Sequence, residues 1–100
     1  MTDTPTIPRA KTRPKTARPP LYKVILLNDD FTPRDFVVKV LQAVFRMSEG
    51  EALDAMLTAH QLGAAVIAVF TREIAEEKVR RGNEMGAADG YPLTFTTEKE

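Results

Sequence analysis

The run LLNDDFTPRDF sets Asn28, Asp29 and Asp30 directly after an apolar stretch and just ahead of a helix start. Asx side chains commonly satisfy backbone donors in turns and at caps, but such a turn uses one or two of them. Three in succession leave acceptors over, and spare acceptors suit a cation. One candidate is Mg²⁺, held at an acidic strand end by Asp29 and Asp30 in an enzyme or phospho-acceptor. The other is an ammonium, which has three donors and no acceptor and so needs a tripod of acceptors. The single histidine, His60, shares a helical stripe with Met56. A core histidine with a satisfied ring nitrogen is the ordinary reading of such a position, yet a neutral imidazole also supplies one acceptor. Asn28, one aspartate and His60 would then complete the tripod. Nothing in the periodicity brings residue 28 to residue 60.

The elements around these residues are legible in the pattern. Tyr22, Val24 and Leu26 alternate with Lys23, Ile25 and Leu27, which reads as a strand. TPRD reads as a helix start with Thr32 at the N-cap, Pro33 at N1 and Asp35 at N3. Phe36, Val37, Val40, Leu41, Val44 and Phe45 then recur at helical spacing to Arg46. Ser48 and Glu51 form a capping box for a second helix, on which Leu53, Met56, Leu57 and His60 share a face and which Gly63 stops. Ala64 to Phe70 has strand length. Thr71 caps a third helix through Arg72, Ile74, Ala75 and Val79, with Glu76–Arg80 and Glu77–Arg81 pairs outside and Gly82, Gly86 and Gly90 punctuating its end. Leu93, Phe95 and Thr97 alternate in a last strand. The order β-α-α-β-α-β predicts a small α+β domain, a three-stranded antiparallel sheet with helices on one face. Its three strands are too few for the five-stranded receiver fold, and no downstream Lys or Ser/Thr strand end completes a Mg²⁺ site.

One hundred residues allow one domain. The zero net charge conceals a basic tail and an acidic body. Residues 1–20 hold five basic side chains against Asp3, and the remainder nine basic against thirteen acidic. Rich in Pro and Thr, with only Ile7 as a large apolar residue, residues 1–20 are expected to be disordered, with a core domain over 21–100. Passive tail and tether for a partner stand level as readings of it. A nucleic-acid arm trails both, for want of an aromatic to stack on a base. The chain has no cysteine, no span of about 18–20 apolar residues and no signal-peptide core, so the cytoplasm is expected, with no membrane partner. No Ser or Cys stands beside a base and no glycine-rich loop cradles phosphate, so neither catalysis nor a cofactor is expected.

The segments LYKVILLNDDFTPRDFVVKVLQ, MLTAHQLG, VFTREIAEEKV and PLTFTTEKE closely resemble the ClpS family of protease adaptors, over about Pro20 to Glu100. Such adaptors take substrates, the N-degron proteins, by a first residue Leu, Phe, Tyr or Trp and deliver them to the ClpA unfoldase of ClpAP. The resemblance implies that Asn28, Asp30 and His60 grip the substrate α-ammonium, with Asp29 assisting. It implies a pocket for the first side chain lined by Leu27, Thr32, Val37, Met56, Ala59 and Leu93. It assigns Glu73 and Lys78 to docking on the unfoldase's N-terminal domain and the tail to delivery, with a monomer expected. Arg34 departs from the family's usual Met, which gates the pocket. A cation near a helix N-terminus is mildly unfavourable, and its stem can cover the pocket while its charge stays wet, so an altered specificity is expected. Charge-assisted bonds of roughly 1.5–3 kcal/mol each and one buried side chain of ~1.5–3, set against the cost of association, predict affinity of micromolar order.

Overall fold

The computed structural model describes residues 18–100, so the tail expected over residues 1–20 lies, apart from its last three residues, outside the described residues. The elements are β1 (Leu21–Leu27), α1 (Arg34–Phe45), α2 (Glu49–Leu62), β2 (Ala64–Thr71), α3 (Arg72–Ala88) and β3 (Phe95–Lys99). β1 lies central in an antiparallel sheet of order β2-β1-β3. The expected α+β architecture is what forms.

Strand period and helix period meet in one core. Val24 and Leu26 turn inward from β1, and Val37, Val40, Leu41 and Val44 recur at three- and four-residue spacing along α1; all are buried. Ala52 and Ala59 of α2 and Ala75 of α3 complete the layer with small side chains that let the helices close on the sheet. Each fully buried side chain the size of Val24, Leu41 or Phe95 contributes about 1.5–3 kcal/mol. In β2 the register against β1 shifts between Val24 and Ile25, which leaves Ile67 as the extra residue of a bulge. The shift resets the alternation. Ala65 and Phe70, of opposite parity, both turn to the core, while Val66 and Val69 stay exposed.

Three local expectations are corrected, and a fourth, the Thr71 cap, holds in position only. The first helix starts at Arg34, with Pro33 rather than Thr32 at the N-cap position and no side-chain cap bond, because Thr32 is held elsewhere. Thr71 occupies the N-cap of α3, also without a side-chain bond. On α2 the core stripe is Ala52 and Ala59, and Leu53 and Leu57 stand about 39–40% exposed beside it. The helix α3 does not end near Gly82 but runs through both Gly82 and Gly86 to Ala88. A Cβ on Gly82 would come within 2.8 Å of the Phe95 ring, and one on Gly86 within 2.9 Å of the Leu93 Cβ. These glycines are contact points for β3 and the segment before it, not breakers. Gly90, at φ 78°, is the true stop. The capping box Ser48–Glu51 and the left-handed Gly63 form as expected.

Asn83, also on α3, fixes the start of β3. Its Oδ1 accepts the Phe95 N–H at 2.7 Å and its Nδ2 donates to the Phe95 carbonyl at 3.2 Å, as a neighbouring strand would. The ion pairs on the outer face of α3 also differ from expectation. Arg80 bridges Glu77 and Glu84, and Arg72 pairs with Glu76. The hydrogen bond from Arg80 draws the Glu77 carboxyl below its ordinary range.

Candidate functional site

Two backbone hydrogen bonds accomplish what the sequence pattern could not. The Leu27 N–H donates to the Thr94 carbonyl at 3.1 Å, and the Asn28 N–H donates to the Gly63 carbonyl at 3.0 Å. The second bond ties the residue after β1 to the left-handed residue that ends α2, three positions beyond His60. The polar loop and the histidine are thereby set on one rim.

The loop holds its own shape. Asp29 Oδ1 accepts the N–H groups of Phe31 at 2.9 Å and Thr32 at 2.7 Å, and its Oδ2 accepts the Thr32 hydroxyl at 3.0 Å. That is an Asx turn with a hydroxyl added, and it takes up most of the carboxylate's acceptor capacity. Asp29 is thus the residue the turn explanation predicts, and its carboxylate shapes the loop. Asn28 and Asp30, on either side of it, are exposed. Among the described residues, no hydrogen bond engages the side chains of Asn28, Asp30 or His60.

These residues surround a recess of about 240 Å³. Buried Leu26, Val37, Ala59 and Leu93 form its floor, one from each of β1, α1, α2 and the segment before β3. Leu27, Thr32, Met56 and Leu57 form the walls, and Asn28, Asp29, Asp30, Arg34 and His60 the rim. Every residue expected at the α-amino site or in the side-chain pocket lines this one recess. Sequence reasoning missed two lining residues, Leu57 of the wall and Leu26 of the floor, although the helical stripe and the strand alternation include them. The volume falls below the roughly 300–1,000 Å³ of sites for drug-sized ligands and matches one large side chain. Polar acceptors at the mouth and hydrocarbon below suit an amphiphile with a cationic head beside an apolar group. Among the described residues, no cluster of three His, Asp or Glu side chains is disposed to hold a metal ion.

Glu73 and Lys78 stand apart from the recess, on α3. Glu73 is exposed in the first turn of the helix. Lys78 is half-buried. Its Nζ donates to the Val44 carbonyl at 2.9 Å and lies 5.6 Å from the centroid of the Phe70 ring. The ammonium therefore satisfies an orphan carbonyl at the end of α1, a helix with no basic residue in its last turn. No helix among the described residues is long and apolar enough to cross a membrane.

Residues 17–96 match the family model described as ATP-dependent Clp protease adaptor protein ClpS. The chain is 56% identical over 100 residues to the ATP-dependent Clp protease adapter protein ClpS 1 of Bradyrhizobium diazoefficiens, covering all of this chain and 99% of that protein. It shows the same identity and coverage with ClpS 2 of Mesorhizobium japonicum. Among solved structures, that of Agrobacterium tumefaciens ClpS2 bound to L-phenylalaninamide superposes with a TM-score of 0.81 at 57% identity, covering 83% of this chain and all of that one.

Proposed function

The chain belongs to the ClpS family, adaptors of the ATP-dependent Clp protease rather than enzymes, and from that premise we propose that its recess captures the first residue of N-degron substrates. The substrate α-ammonium is held by Asn28, Asp30 and His60, and a Leu, Phe, Tyr or Trp side chain enters the floor formed by Val37, Ala59 and Leu93. One observation carries this reading: three exposed side chains with acceptors, unpartnered among the described residues, rim an apolar recess the size of a single side chain. The relative solved with L-phenylalaninamide, which joins a free α-amine to an aromatic side chain, supports it. Because a chain has one α-ammonium, fixed acceptors distinguish a first Phe or Leu from every internal one. The binding step is pure recognition, with charge-assisted bonds at the rim and burial below.

Delivery would go to the ClpA unfoldase, with Glu73 as the exposed docking contact, Lys78 as its partly committed neighbour, and the segment 1–20 as the delivery handle. The adaptor acts as a monomer in the cytoplasm. At the rim, Arg34 takes part in selecting the first side chain. Titrating peptides that begin with Phe, Leu, Ile and Val against Arg34→Met should change their ranking; an unchanged ranking removes Arg34 from that role. The central test is a labelled peptide beginning with Phe against its N-acetylated twin. Acetylation should weaken binding by at least about a hundredfold, since it deletes the charge and unpairs the acceptors. Equal affinities would refute the reading.

A further inference from the structure

A second depression opens beside the first. It measures about 400 Å³ and shares one residue with the recess, Arg34. Two ridges face each other across it: Arg34, Val38 and Gln42 at four-residue spacing on α1, and Glu49 and Leu53 at the same spacing on α2. The α2 ridge continues without a break to Leu57, which lines the first recess. Half-buried Val38 and partly exposed Leu53 give the groove an apolar floor, and Arg34, Lys39, Asp35 and Glu49 give it a rim with no net charge.

Resting on the reading above, we propose that this groove is the subsite for the third residue of the substrate and takes an apolar side chain there. Leu53 and Leu57 are four residues apart on one helix face, a separation of about 6 Å along the axis. In an extended peptide, side chains on one face recur every second residue, a repeat of about 6.6–6.8 Å. A substrate whose first side chain enters the recess beside Leu57, and whose backbone leaves along α2 toward Glu49, brings its third side chain over Leu53. The second side chain points the other way, to solvent. The balanced rim leaves charge without a say, so the apolar floor decides the preference.

The test uses phenylalaninamide and three short peptides, Phe-Ala-Leu, Phe-Leu-Ala and Phe-Ala-Ser with a common polar continuation, titrated against the full chain and Leu53→Ser. Leucine at the third position should tighten binding about tenfold over serine, the effect of partly burying one aliphatic side chain. Leucine at the second position should add nothing. Leu53→Ser should abolish the gain while phenylalaninamide, which has no third residue, binds as before. Equal affinity for Phe-Ala-Leu and Phe-Ala-Ser, or a gain that survives Leu53→Ser, overturns the subsite and leaves the first-residue reading standing. Failure of phenylalaninamide to bind the unmodified chain overturns both.

Discussion

The outer face of α3 and the loop after β1 are both exposed and crowded with charge, yet they treat it in opposite ways. On α3, Arg72, Glu76, Glu77, Arg80 and Glu84 are matched with one another along the helix. In the loop, Asp29 commits its carboxylate to the turn, while Asn28, Asp30 and, across the rim, His60 have no side-chain hydrogen bond among the described residues. Such pairs, screened by solvent, add little to a helix face and ask nothing of a ligand. Polar side chains that each offer an acceptor, set without partners among the described residues above hydrocarbon, are an arrangement that suits a cation. The contrast separates a surface from a site better than the count of charged residues does.

The contrast can be broken at its strongest point by Asp30→Ala. Loss of one charge-assisted acceptor, with the ammonium left partly unpaired, should weaken binding of a Phe-initiated peptide about ten- to a hundredfold by fluorescence anisotropy, with the fold intact by circular dichroism. Retained affinity would place the ammonium elsewhere. Raising the pH is the next largest lever. A free α-amine titrates near ~7.7–8.0, so the binding form is the major one at pH 7 and is lost above that range. Between pH 7 and 9, affinity should fall about tenfold, and a quaternary trimethylammonium terminus, charged at every pH, should remove the slope.

Asp29→Ala tests the loop's own scaffold. Because this carboxylate orders the turn, its loss should lower stability by about 1–3 kcal/mol in urea unfolding and weaken peptide binding only severalfold, through the displaced neighbours. A loss as large as that of Asp30→Ala would assign Asp29 to the ligand directly. Arg80→Met on α3 should leave peptide affinity and the unfolding midpoint unchanged within error, as exposed pairs generally do.

Much of this was legible in the residues. Alternation in LYKVILL, the helical recurrence from Val37 to Val44, the Ser48–Glu51 box and Gly63 each signal their structure locally, and each forms. Where local signals serve tertiary ends, they mislead. Gly82 and Gly86 read as breakers, but a helix can carry glycine where another segment must come close. Thr32 reads as a cap but is held by Asp29. Leu53 and Leu57 sit on the apolar stripe of α2, yet alanines make the core contact and the leucines are left for the recess and groove. For the site, residue types nominated Asn28, one of the two aspartates and His60, and only the family resemblance singled out Asp30. Their meeting depends on the bond from Asn28 to Gly63 between segments thirty-five positions apart, and no window of periodicity contains it.

The tight approach of Gly86 to Leu93 reaches further than packing. The helix α3 lends no side chain to the recess, but Leu93, part of its floor, rests against the bare backbone of that helix. The depth available to a guest is therefore governed from behind, by an atom that is missing. A methyl group at position 86 would drive the base of the chamber forward and make it shallower, leaving every residue at its mouth untouched.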